Sequence, residues 1–279
     1  YTPTPGFRGQ DSFQYSVRDA TGASTAQVSI DVSGETVWFV DDSAPAGGNG
    51  TRSAPFNSFA PLNGNAGAGD LDATGDTIFV FAGNYDVTFD LEPSQRLLGE
   101  AAGLDLVGTA NDIPAGARPQ FSSTSSFPQI ELFGTLGYVQ GFNITNLGGR
   151  ALSGNGAGGF TVRDISISSG AGASGAVEFI GSSGSITIQN VAITGATQAN
   201  GAALTLTNNA GVINLIGSSV SAFTGGYVLN ISGNTGTITF DSASDLSSTN
   251  TRGLAITTQG ATGVVTLAGV NLDGGATSE

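Results

Sequence analysis

From about residue 137 onward one short phrase keeps returning, and few folds can accommodate such a return. It reads Phe160-Thr-Val-Arg-Asp-Ile-Ser-Ile, then Ile186-Thr-Ile-Gln-Asn-Val-Ala-Ile, Ile213-Asn-Leu-Ile-Gly-Ser-Ser-Val, Ile238-Thr-Phe-Asp-Ser-Ala-Ser-Asp and Val265-Thr-Leu-Ala-Gly-Val-Asn-Leu. Successive copies start 26, 27, 25 and 27 residues apart. A period of that size means a solenoid in which each turn of chain lies on its neighbour. Two further registers keep the same step. Gly158, Gly184, Gly211, Gly236 and Gly263 each stand two places before the first apolar position. Val177-Glu-Phe, Leu204-Thr-Leu, Leu229-Asn-Ile and Leu254-Ala-Ile form an alternating segment earlier in each unit.

Each unit therefore has room for three short strands and none for a helix. Three strands per coil, joined by turns at fixed places, describe an all-β parallel β-helix with coils about 4.8 Å apart. The inward columns follow from the alternation: Val162, Ile188, Leu215, Phe240 and Leu267 in one, and Phe160, Ile186, Ile213, Ile238 and Val265 beside it. The phrase must bend in its middle, where a residue tolerant of positive φ is needed. Gly141, Asp164, Asn190, Gly217, Ser242 and Gly269 occupy that place. Composition agrees, with 44 Gly and sixteen Asp against six Glu, a bias toward turns over helices.

The chemistry open to such a chain is narrow. It has no Cys, Met, His or Lys, so all eight basic residues are Arg. That excludes a Ser-His-Asp triad, a thiol nucleophile, the usual zinc sites, a Schiff-base lysine and any disulfide. Carboxylates, Arg, Tyr, hydroxyls and a hard cation held by oxygen remain. A net charge of −14 makes nucleic acid and anionic lipid poor partners. No apolar run approaches the length that spans a bilayer, so no membrane insertion is expected.

The first 34 residues read differently. Residues 12–18 and 26–32 alternate apolar and polar around the turn Asp19-Ala-Thr-Gly22, which predicts a β-hairpin. Two strands cannot build a core, so the hairpin must pair with a further sheet or pack on the chain beyond residue 34. The string Tyr1-Thr-Pro-Thr-Pro-Gly-Phe-Arg-Gly-Gln-Asp-Ser-Phe-Gln-Tyr, followed by Val-Arg-Asp-Ala-Thr-Gly, resembles the closing third of the immunoglobulin-like or cadherin-like repeats of large bacterial adhesins. That resemblance implies a long, modular, extracellular protein of the bacterial cell surface, of which this chain, opening at Tyr1, is expected to be a segment. Residues 35–279 are then expected to be the β-helix, with an N-terminal cap at about 35–75 and regular coils at about 137–273.

The opening of this second part carries another resemblance. Val37-Trp-Phe-Val-Asp, Gly47-Gly-Asn-Gly-Thr-Arg-Ser-Ala-Pro-Phe-Asn-Ser-Phe and Gly75-Asp-Thr-Ile-Phe-Val-Phe-Ala-Gly-Asn-Tyr resemble the first coils of right-handed β-helix proteins of the pectin-lyase-like superfamily. It implies a fold and no one function, since that superfamily holds lyases, hydrolases, tailspikes and adhesins. Ser53 is placed to N-cap a short helix with Phe56, Phe59 and Leu62 on one face and Pro61 near its end, a plug for the open core.

Enzymes resembling this fold set acids side by side on one strand face. The outward positions of the regular coils read Glu178, Thr205, Asn230 and Ala255 on one strand, and Thr161, Thr187, Asn214, Thr239 and Thr266 on another. Glu178 is the one acid among these nine, and it is expected to be solvated, with a ligand contact as its functional reading. Fifteen of the twenty-two acids lie at or before residue 112. Asp70, Asp72 and Asp76 are spaced like a calcium loop, but Phe81 stands where a closing Glu belongs, and the simpler reading is a polar turn. Calcium is the one cofactor this leaves open. Asp86, Asp90, Glu92, Arg96, Glu100, Asp105, Asp112, Arg118, Glu131 and Arg150 are the only other collection from which an active site could be built, and nothing in their spacing singles out a pair. Arg96 and Arg118 are expected to satisfy nearby carboxylates or carbonyls, with carbohydrate binding as the functional alternative.

The function expected is a non-catalytic extracellular stalk or adhesive module contacting glycans or proteins of a cell surface. A polysaccharide lyase or glycosidase is the rival, and a subunit of a surface filament or layer is the third possibility. The last coil, Val265–Leu272, runs into Asp273-Gly-Gly-Ala-Thr-Ser-Glu with no capping pattern, so continuation of the chain or end-to-end docking of subunits is expected there.

Overall fold

A computed structural model describes residues 7, 9–64, 69–105, 113–134, 136–156, 158–248, 253–257, 260 and 262–268. Gly269 and the C-terminal stretch that carries the end-docking expectation lie outside them. The described chain is almost entirely β, and its main body is a parallel β-helix with three strand faces.

The first face stacks nine strands in parallel: Val37–Val40, Thr77–Val80, Arg96–Gly99, Gly137–Gln140, the leading halves of Phe160–Ser169 and Ile186–Ala196, then Ile213–Ile216, Thr237–Phe240 and Val264–Leu267. Asn84–Asp86, Gln120–Ser123, Asn143–Asn146, the trailing halves of the two long strands, Ser219–Thr224 and Asp245–Ser248 make the second. Seven strands make the third: Phe89–Leu91, Ile130–Leu132, Leu152–Asn155, Gly175–Ile180, Ala202–Thr207, Tyr227–Ser232 and Leu254–Thr257. The expected inward column is present and longer than the repeats suggest, running Trp38, Ile78, Leu97, Val139, Val162, Ile188, Leu215, Phe240, Leu267 in unbroken register.

The glycine register now has its cause. A Cβ on Gly211 would lie 1.9 Å from the Gly184 carbonyl oxygen, and one on Gly236 would lie 2.0 Å from that of Gly211. Coils touch backbone to backbone at this corner, so no side chain fits. At the bend, Gly141, Asp164, Asn190 and Gly217 have positive φ as expected, but Ser242 does not. Its coil has four residues between Phe240 and Asp245, where the preceding coil has three between Leu215 and Ser219. The extra residue lets the chain turn through Asp241 to Ser244, closed by the Ser244 N–H on the Asp241 carbonyl, with no left-handed residue needed.

The plug is real, but its backbone is not the expected helix. Phe56, Phe59 and Leu62 are buried, and the Phe59 ring meets Tyr85, Phe89 and Phe121 at 5.1 to 5.7 Å. Ser53 caps nothing. It lies in a tight turn closed by Thr51 and Ala54, and the only helical turn here is the 3-10 segment Ala60–Leu62, capped by Phe59 without a side-chain bond. Pro61 sits inside that turn, where a missing N–H costs nothing. A second apolar cluster, unforeseen from the repeats, covers the outside of the first coils: Phe39, Phe79, Leu98, Leu104 and Ile113 pack there with Tyr138 at the edge.

The hairpin spans Gly9–Arg18 and Ala23–Val32, antiparallel, with Phe13 opposite Val28 and Tyr15 opposite Ala26. Asp19 organises its turn by accepting from the Thr21 N–H, the Thr21 hydroxyl and the Gly22 N–H. Among the described residues it pairs with no other sheet, and Phe13, Tyr15 and Val17 stay exposed.

Candidate functional site

Register carries chemistry outward as well as inward. Continuing the first face's outward column toward the N-terminus gives Thr77, Arg96, Tyr138, Thr161, Thr187, Asn214, Thr239 and Thr266. At its head Glu35 accepts from the Thr77 hydroxyl and from Arg96 Nη1 at 3.1 Å. The Arg96 guanidinium lies 5.6 Å from the centre of the Tyr138 ring, a cation–π arrangement that covers one ring face. Tyr138 donates to Gln140 Oε1 at 2.5 Å, and Gln140 donates to Asp164 Oδ2 at 2.7 Å. Arg163 Nε and Asn190 Nδ2 complete the shell of Asp164 at 3.2 and 3.0 Å. Burial pushes the Asp164 carboxyl upward, but the hydrogen bonds from Asn190, Gln140 and Arg163 outweigh it and hold the group below the usual Asp range. Both Arg residues on this face are thus paired with acids, while the Thr and Asn side chains beyond them carry no charge.

The third face is where acids gather. Its outward column reads Asp90, Glu131, Ser153, Glu178, Thr205, Asn230, Ala255. Glu178 is not the solvated residue expected: it is 8 % exposed and bound to Arg150 Nε at 2.8 Å. Burial raises its carboxyl above the normal Glu range, and Arg150 opposes that only in part. Glu178 is the one acid among the nine outward positions read from the regular coils, but further along the same column Glu131 and Asp90 stand on adjacent strands. Glu131 is raised by burial first and by the charge of Asp90 second. The sequence held a signal for this pair. Phe89-Asp-Leu91 and Ile130-Glu-Leu132 are the same apolar-acid-apolar phrase as Val177-Glu-Phe179, hidden because long loops set Asp90 and Glu131 41 positions apart.

The other sequence candidates scatter. Arg118 is exposed on the loop before Gln120–Ser123. Asp70, Asp72 and Asp76 do not form a set of three that could hold a metal ion among the described residues. Asp76 Oδ2 accepts from the Trp38 indole at 2.9 Å and from the Ala73 N–H at 3.0 Å, tying the loop to the core. Asp70 accepts from the Gly64 N–H at 2.8 Å. Asp72 is buried, with Oδ2 receiving Gln95 Nε2 at 2.6 Å and Oδ1 without a hydrogen-bond partner among the described residues. A cleft of about 360 Å³ beside the plug has its polar groups turned on one another: Asn63 bonds the Thr88 carbonyl and the Asp90 N–H, and Asp42 accepts from the Asn84 N–H.

Comparison with known proteins leaves the site open. Residues 1–31 match the family model of the bacterial Ig domain. No curated protein matches the sequence. Among solved structures, a rhamnogalacturonan lyase aligns at 12% identity and TM-score 0.46, covering 79% of this chain and 70% of its own. A pectin methylesterase solved with a hexasaccharide aligns at 12% identity and TM-score 0.40, covering 77% and 80%. The pectin methylesterase PemA from Erwinia chrysanthemi aligns at 12% and 0.38, with the same coverage. No helix among the described residues is long and apolar enough to cross a membrane.

Proposed function

We propose that this chain is a non-catalytic, extracellular stalk module of a bacterial surface protein that contacts glycans through its solenoid faces. In this reading residues 1–34 belong to an immunoglobulin-like repeat and residues 35–279 form the stalk. The observation that carries it is the outward column Thr161, Thr187, Asn214, Thr239 and Thr266, a regular row of hydroxyls and an amide at coil spacing with no ionised group in it. Such a row suits weak contacts repeated along a polymer, where summed contacts supply strength. The bacterial Ig match at residues 1–31 supports a surface setting.

One observation favours a second reading, a carbohydrate-active enzyme: the neighbouring carboxylates of Asp90 and Glu131, of which Glu131 is raised toward a proton-holding state. Incubation with neutral and uronate oligosaccharides separates the two. The stalk reading expects retention of glycans on the immobilised chain with no new reducing ends and no unsaturated products. Turnover that disappears in Glu131→Gln overturns it in favour of the enzyme.

A further inference from the structure

The first face carries a cleft of about 400 Å³ spanning three coils, bounded by Leu136, Gly137, Tyr138, Thr161, Ser185 and Thr187. Leu136 is the anomaly. It is 71% exposed, and its φ of 63° is left-handed. That backbone costs a branched residue on the order of 1–2 kcal/mol. A glycine would avoid the cost, and the exposed side chain recovers nothing through burial.

Around it the groups are arranged without being used. Among the described residues no hydrogen bond engages the hydroxyls of Thr161, Ser185 or Thr187, and none of the three is buried. Tyr138 is held in place from both ends, by Arg96 on one ring face and by its bond to Gln140. The nearby cations are cancelled, Arg96 by Glu35 at 3.1 Å and Arg163 by Asp164 at 3.2 Å. What remains is an aliphatic lip, a fixed ring and three hydroxyls, with no net charge to offer an anion. A neutral pyranose has the matching faces, C–H groups on one side and hydroxyls at the rim.

We propose that this cleft binds one neutral pyranose unit of a glycan, with Leu136 and Tyr138 against the apolar face of the sugar and Thr161, Ser185 and Thr187 bonding its hydroxyls. The proposal rests on the glycan-contact reading and narrows it to one site and to uncharged sugars. In a chain of charge −14, a uronate would meet repulsion with no free cation in the cleft to offset it.

The test titrates cello-, xylo-, manno- and galacto-oligosaccharides, with oligogalacturonate as the charged counterpart, into the whole chain and two variants by calorimetry. Leu136→Gly removes the lip and relieves the backbone, so folding is not at risk. The double variant Thr161→Val and Thr187→Val removes two hydroxyls at nearly constant volume. At least one neutral oligosaccharide is expected to bind at millimolar strength or tighter and at least tenfold better than oligogalacturonate. Each variant is expected to weaken it about tenfold while melting no lower than the parent. Binding that survives both variants overturns the cleft and leaves glycan contact standing elsewhere. Tighter binding of oligogalacturonate overturns the neutral-sugar assignment, and no binding of any sugar overturns the site together with the reading beneath it.

Discussion

Single residues set two measurable limits on this fold. Asp72 is the first, with a carboxyl that burial drives up to about 7, its bond from Gln95 opposing and the charges of Asp70 and Glu92 adding. The folded state therefore holds a proton that the unfolded chain releases near 3.8. Stability must fall as pH rises from about 4 to about 7 and level off above that, by about 4 kcal/mol from this group alone. Glu92, Glu131 and Glu178 are raised as well and push in the same direction. Urea unfolding from pH 4 to 8 should show maximal stability at the acid end, and Asp72→Asn should remove most of the slope. A parent whose stability rises with pH over that range would refute the buried proton. The second limit is steric. Gly211→Ala forces a methyl to within 1.9 Å of a carbonyl oxygen and should lower stability by more than about 2 kcal/mol, whereas Gly22→Ala, with nothing within 4 Å, should leave the melting temperature unchanged.

At the scale of strands, the ladder joining Leu152–Asn155 to Gly175–Ile180 carries a covered ion pair. Removing Arg150 alone leaves Glu178 buried without its counter-charge, a loss of roughly 3–5 kcal/mol. Arg150→Met should therefore destabilise the chain in denaturant melts, and adding Glu178→Gln should restore much of the loss. Failure of the second change to help would mean that packing of the Arg150 stem, and not charge, sustains this corner. The same strands show what the sequence could disclose. From residue 160 onward the period alone fixed strand, register and inward column, because each coil adds the same number of residues within one or two. Before residue 137 loops of unequal length interrupt the step, so the Asp90–Glu131 neighbourhood and the outer Phe39–Phe79–Leu98 cluster could be read only by matching short phrases across uneven gaps. Burial of Glu178 was invisible for another reason, since Arg150 reaches it from a corner position outside the aligned columns.

For the whole molecule, the Thr row, the acid column and the cleft exist only if successive coils stack in one register, about 26 residues apart in the regular part and 41 apart at Asp90 and Glu131. The outward column was legible because β-alternation and the repeat both point to it. The cleft was not, because it arises where Leu136 takes a left-handed backbone that no propensity assigns to leucine. A chain without a single cysteine allows the register to be measured by cross-linking. Thr161→Cys with Thr187→Cys places two thiols opposite each other on adjacent strands, within the span a disulfide bridges, while Thr161→Cys with Ile188→Cys points them to opposite sides of the same sheet. Mild oxidation should close the first pair nearly completely and leave the second reduced, as read by thiol titration and peptide mapping. An open first pair, or equal closure of both, would contradict the stacked-coil register and with it the proposed glycan-binding face.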